Sequence, residues 1–189
     1  MNQENKNLDS APHGWEVSPE NGTIPFQLSD FIENFVAPMQ LEITSGPTRN
    51  SENSEYGGTA LSITGKKILF RVAKTTPTKA GQFVALYKRS KSSGKIIPID
   101  VDDTIDFVFI ATFNQDYHGV FIFYKEILIK KGIYSKEEKS GKLSFRVYAP
   151  WVNTIAPLAK KTQTWQCNYF MHLDRKPDET FKQFEKLFI

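Results

Sequence analysis

A chain of 189 residues with one cysteine, Cys167, has no partner for an internal disulfide. No apolar run approaches the roughly 18 residues that a membrane-spanning helix needs. The opening Met1-Asn2-Gln3-Glu4-Asn5-Lys6 has neither a basic segment followed by an apolar core nor a cleavage pattern, so no export signal is read there. These absences predict a cytoplasmic protein with no membrane insertion. Nucleotide-phosphate cradles of the Gly-x-Gly-x-x-Gly and Gly-x-x-x-x-Gly-Lys-[Ser/Thr] kinds are missing, as is the Gly-x-Ser-x-Gly elbow of serine hydrolases. The three histidines, His13, His118 and His172, sit in unrelated contexts, with no His-x-x-x-His or Cys-x-x-Cys spacing to suggest zinc. No metal, cofactor or catalytic residue is therefore expected, and Cys167 reads as a small half-buried side chain.

Acids are also missing locally. The formal charge is +3, yet residues 56–99 hold nine Lys or Arg and no Asp or Glu, and residues 139–173 hold five and again no acid. Residues 1–55 carry nine acids against two bases, and 100–138 carry eight against four. A nearly balanced sum thus hides two acid-free stretches, which point to an anionic partner before any reaction.

The composition, 40% hydrophobic and 24% charged, fits one globular domain. Residues 1–23 read as a flexible lead-in and 24–189 as a single domain. Phe26, Leu28, Ile32, Phe35 and Val36 predict an amphipathic helix, with Ser29 or Asp30 as N-cap and Pro38 as stop. A turn-rich stretch over 45–58 precedes strands at 60–64 and 67–73, joined by Thr64-Gly65-Lys66. A third strand is expected over 81–89, a core hairpin over 106–111 and 119–124, a short helix over 125–131 ended by Gly132, and a strand over 143–148. A short helix after Pro157, a last strand over 165–173 and a helix over 176–188 complete the reading. The expected class is α+β, with a curved, mostly antiparallel sheet and flanking helices.

Gly65-Lys66-Lys67-Ile68-Leu69-Phe70-Arg71-Val72 echoes Gly141-Lys142-Leu143-Ser144-Phe145-Arg146-Val147. Strand alternation puts Phe and Val on one face and Arg71 or Arg146 on the other. Phosphates need cations without competing carboxylates, exposed bases stack on aromatic faces, and Gln can read base edges. The candidate nucleic-acid contacts are accordingly Arg71, Lys74, Lys79, Lys88, Arg89, Arg146, Lys160 and Lys161 for phosphates, with Gln82, Gln163, Trp151 and Trp165 for bases. DNA and RNA suit this set equally, and the sequence specifies no oligomeric state.

Asp100, Asp102, Asp103 and Asp106 form the one dense acidic cluster, which with Glu55 raises the alternative of a metal-dependent nuclease related to restriction endonucleases. The acid-x-Lys pair such an enzyme needs is absent from Phe70-Arg71-Val72-Ala73-Lys74 and Ala85-Leu86-Tyr87-Lys88, so an Asp-rich turn before a buried strand is the favoured reading. A third alternative is an accessory protein that binds a cationic drug or a protein partner in an aromatic cleft.

Several blocks carry a resemblance: Ser54-Glu55-Tyr56-Gly57; the run from Phe70-Arg71-Val72-Ala73-Lys74 to Gly81-Gln82-Phe83-Val84; Gly119 to Lys125; Phe145-Arg146-Val147-Tyr148-Ala149-Pro150-Trp151; and Lys161-Thr162-Gln163-Thr164-Trp165-Gln166. Together they resemble the MepB family over about residues 26–172. The resemblance implies a bacterial cytoplasmic protein, encoded in some genomes beside a multidrug efflux pump and its repressor, with no assigned reaction to carry over.

Overall fold

The structure, a computed structural model, describes residues 23–173 and 177–188. The lead-in expected over 1–23 lies, up to residue 22, outside them. Helix α1, Phe26–Phe31, opens directly after Pro25 and runs on as a wider π turn over Ile32–Val36. It therefore starts three residues before the expected Ser29 cap. Leu28, Phe31, Phe35 and Val36 fall on its inner side and are buried.

Strands β1 (Ile43–Arg49), β2 (Thr59–Ile63) and β3 (Lys66–Val72) form an antiparallel meander. Thr64 and Gly65 between β2 and β3 both have positive φ, the backbone that lets a two-residue turn match the strand twist. β1 falls where turns were expected, because it contains Gly46 and Pro47 and pairs with β2 through two register irregularities. Its place at the sheet edge allows this, since an edge strand can leave donors unused.

β8 (Phe107–Phe113) lies parallel to β3, and β9 (His118–Tyr124) returns antiparallel beside β8. β11 (Phe170–His172) closes the six-stranded order β1-β2-β3-β8-β9-β11. Between β3 and β8 the chain makes β4 (Lys74–Thr76), β5 (Lys79–Ala85), β6 (Tyr87–Arg89) and β7 (Ile96–Pro98). The expected single strand over 81–89 is thus broken at Leu86, and its halves join different sheets. β10 (Ser144–Val147) pairs with β5 in a three-stranded sheet of order β10-β5-β4, and β6 pairs with β7. Helices α2 (Lys125–Lys130), α3 (Pro157–Gln166) and α4 (Pro177–Phe188) complete the α+β domain. The strand expected over 165–173 is shorter: Trp165 and Gln166 finish α3, Cys167–Tyr169 form a 3-10 turn, and only Phe170–His172 pair with β9.

Two apolar layers share the large sheet. Phe70, Phe107, Phe109 and Ile122 face α1 and α4, where Phe31 meets Phe109 edge-on at 5.7 Å and Phe184 at 5.6 Å. Val108, Ile110, Phe121 and Phe123 face the other way, against Val84 of β5, Phe145 and Val147 of β10, Ile127 and Leu128 of α2, and Trp165. Each buried Phe contributes about 2–3 kcal/mol by leaving water, and edge-to-face pairs add about 0.5–1.5 kcal/mol. Coverage on both faces explains why β8 and β9 read as continuous apolar runs. The second layer also fixes the outer elements on which the basic side chains stand.

Candidate nucleic-acid interface

Arg146 is the centre of the site. Strand pairing sets it opposite Phe83 of β5, and its guanidinium lies 5.8 Å from the Phe83 ring centroid. Nη1 donates to the carbonyls of Ala80 at 3.3 Å and Gly81 at 3.1 Å, and Nη2 to the Thr76 hydroxyl. These are neutral acceptors, so the positive charge is oriented without being cancelled.

Two clefts share Arg146 and Tyr148. One, of about 290 Å³, is lined by Lys131, Lys142, Thr162, Trp165 and Gln166 among others. The other, of about 340 Å³, is lined by Lys79, Ala80, Asn153, Ile155 and Ala159 among others. Among the described residues no carboxylate lines either one. Trp165 presents a half-buried indole, packed 5.4 Å from Phe123 with the Lys131 ammonium 5.1 Å over its ring. α3 supplies Ala159 to one cleft and Thr162, Trp165 and Gln166 to the other, and Lys160 and Lys161 are exposed between those positions. Beside them Ile155 and Leu158 are 83% and 80% exposed, an apolar margin to a basic surface.

The structure thus brings Lys79, Arg146 and Trp165 together and sets Lys160 and Lys161 on the adjoining helix. Other candidates lie elsewhere. Arg71 is wholly buried inside the second layer, because the face of β3 opposite Phe70 and Val72 is also covered; this corrects its assignment to an external phosphate contact. Gln82 is buried too, donating to the Thr75 hydroxyl and the Phe113 carbonyl, both at 3.0 Å. Gln163 is committed to a loop clamp, donating to the carbonyls of Ala149 at 2.9 Å and Val152 at 2.8 Å while accepting from Thr154 at 2.8 Å. Neither glutamine is available to a base. Trp151 is stacked on Tyr117 at 5.4 Å and set edge-on to Phe170 at 5.3 Å. Lys74 lies over the Tyr56 ring at 5.5 Å.

Lys88 pairs with Asp103, and Arg89 lies 3.6 Å from Glu52. An acid-free stretch of sequence is therefore not acid-free in space, since distant carboxylates fold onto β6. Lys131 and Lys142 line a cleft although the sequence pattern does not single them out, and Lys131 comes from the segment in which acids outnumber bases.

The Asp-rich segment is a turn. Asp103 accepts the Asp100 N–H at 2.7 Å, Asp100 accepts the Asp102 N–H at 3.0 Å, and Asp106 accepts the Lys67 N–H at 2.7 Å. Among the described residues no group of three or more His, Cys, Asp or Glu is placed to hold a metal ion. Cys167 is half-buried with Sγ 3.8 Å from the Tyr148 carbonyl, and burial pushes its thiol pKa up, away from a reactive thiolate. Among the described residues no helix is long and apolar enough to cross a membrane.

The fold is an α+β domain whose mixed sheet carries α1 and α4 on one face and, on the other, a second small sheet together with α2 and the end of α3. A family model described as MepB-like matches residues 50–172, and the chain belongs to that family. It is similar to the crystal structure of MepB, with 32% sequence identity and a TM-score of 0.65, over 71% of this chain and 87% of that one. No curated protein matches the sequence.

Proposed function

We propose that this chain binds nucleic acid, DNA or RNA, through the surface centred on Arg146, as a cytoplasmic protein of a bacterium. One observation carries the reading: two adjoining clefts share Arg146 and Tyr148, take in Lys79, Lys131 and Lys142, and have no lining carboxylate among the described residues. Arg146, oriented by neutral acceptors, keeps its full charge for a phosphate, and the half-buried Trp165 with Lys131 over its ring sets an aromatic wall beside a second cation. Lys160 and Lys161 extend the track along α3.

The test is fluorescence anisotropy of labelled duplex DNA, single-stranded DNA and RNA at several salt concentrations. Each neutralised phosphate contributes about 0.9 to the log-log slope, so the four lining cations give about −3 to −4. Binding that is absent, or indifferent to salt, overturns the reading.

A second reading rests on a separate cleft of about 440 Å³, lined by Phe26, Phe35, Phe113 and Leu173 with Asp30 and His118. Aromatic walls and one carboxylate suit a small aromatic cation. A thermal-shift panel of cationic dyes against nucleic acids separates the two, and Asp30→Asn abolishes the shift only if the cation sits there.

A further inference from the structure

Arg71 is the penultimate residue of β3, one of the two central strands of the six-stranded sheet, and is 0% exposed. Of its guanidinium nitrogens, Nη1 donates to the Phe70 carbonyl at 2.8 Å. Nε and Nη2 have no hydrogen-bond partner among the described residues, nor is there an ion pair to this side chain. Those two nitrogens share one edge of the planar group, the edge whose parallel N–H bonds match two oxygens of a carboxylate or phosphate. The anchored Nη1 fixes the plane and leaves that fork presented.

Among the described residues the surroundings supply no ion-pair partner. The titratable groups that act on Arg71 are Tyr134, Arg49, Tyr87 and Glu52, in falling order of influence. Arg49 is a second guanidinium, held by the carbonyls of Gly58 at 2.9 Å and Ser54 at 3.2 Å. Glu52, whose influence is smallest, lies 3.6 Å from Arg89. Tyr134 is buried, with its hydroxyl unpartnered among the described residues. Desolvation lowers the Arg71 pKa to about 10, which leaves it protonated at neutral pH. A buried cation without a counter-charge costs several kcal/mol. Water satisfies its hydrogen bonds but leaves the charge, whereas an oxyanion answers both.

We propose that the Nε/Nη2 edge of Arg71, together with the Tyr134 hydroxyl, holds a small oxyanion, a phosphate or carboxylate group, inside the domain. None of Arg71, Tyr134 and Arg49 lines the two clefts around Arg146, so this site is independent of the nucleic-acid reading. The groups around it come partly from connections, the β1–β2 segment with Glu52 and the segment after α2 with Tyr134.

Thermal unfolding of the full chain tests it, with inorganic phosphate, acetate, chloride and a nucleoside 5′-monophosphate at matched ionic strength. Phosphate at 100 times its Kd raises Tm by about 5–10 °C over chloride. Arg71→Met loses this gain, and in chloride alone its Tm equals or exceeds that of the wild type, because the unpaired cation is gone. Tyr134→Phe keeps the ring and at least halves the phosphate-dependent shift; it decides the matter if Arg71→Met does not fold. A free ion is the source if phosphate alone gives the full shift, and a nucleotide terminus if the monophosphate gives more. The proposal is overturned if chloride matches both oxyanions, or if wild type, Arg71→Met and Tyr134→Phe respond equally, which would put binding on surface cations.

Discussion

Gln166 donates from Nε2 to the Arg146 carbonyl at 2.9 Å, and its Oε1 accepts the Tyr148 N–H at 2.9 Å. β10 is the outer strand of its sheet, so these two backbone groups point where a further strand would lie. One buried side-chain amide replaces that strand and locks α3 onto the strand bearing Arg146.

Replacing Gln166 by Leu leaves a buried N–H and C=O unpaired, at a cost of about 2–4 kcal/mol. Urea denaturation should show this loss, and anisotropy should show weakened nucleic-acid binding as Arg146 loses its strand geometry. Unchanged stability would mean that water takes over both bonds.

Gly81 adopts φ +75°, and a Cβ there would stand 2.6 Å from Tyr148 Cδ1 and 2.7 Å from the Val147 carbonyl oxygen. Gly81→Ala therefore combines backbone strain with displacement of a ring that lines both clefts. We expect a loss of about 1–3 kcal/mol in stability and weaker nucleic-acid binding, checked by denaturation and titration on the same variant.

Lysines of equal formal charge should behave differently. Lys142→Ala removes a cation that lines a cleft, so the magnitude of the salt slope should fall by about 0.9. Lys88→Ala removes the partner of Asp103, and the slope should stay as it was. Equal effects from the two would show that total charge, and not this surface, governs binding.

Tyr169 carries a pKa raised to about 12, by burial first and then by its hydrogen bond with Tyr124, and burial raises Tyr134 as well. A raised phenol keeps its proton in the folded state after the unfolded chain has lost it. Stability is therefore intact below about pH 10 and falls as pH rises toward 12. Burial lowers Arg71, so it acts in the opposite sense over the same window: the unfolded chain binds the extra proton there, and folding gains as pH rises. Tyr134→Phe should lessen the alkaline loss of stability, followed by circular dichroism, and remove one tyrosine's share of the late-titrating absorbance at 295 nm, leaving that of Tyr169.

The hairpin of β2 and β3, the apolar pair β8 and β9, and α2 with its Gly132 stop were legible because turn residues and alternation coincide there. Helix α3 extends into a segment whose pattern predicts a strand, since Trp165-Gln166-Cys167-Asn168 alternates in polarity although Gln166 is turned inward to bond the backbone. Charge proved harder to read than fold. Lys88 and Arg71 look alike in sequence, but pairing with Asp103 and burial under a second layer are decided by residues far along the chain. Lys131 was missed for the converse reason, having acidic neighbours in sequence but none lining its cleft.

The parallel pairing of β3 with β8 joins Ile68 to Phe107 and Val72 to Ala111, so a tight turn cannot connect these strands and a long crossover must. That crossover contains β5, to which β10 later adds, and it holds Lys79. The surface around Arg146 therefore has a place in time as well as in space. It assembles only after distant segments have closed on one another, and partial unfolding that frees the crossover would erase it while the meander of β1, β2 and β3 still stands.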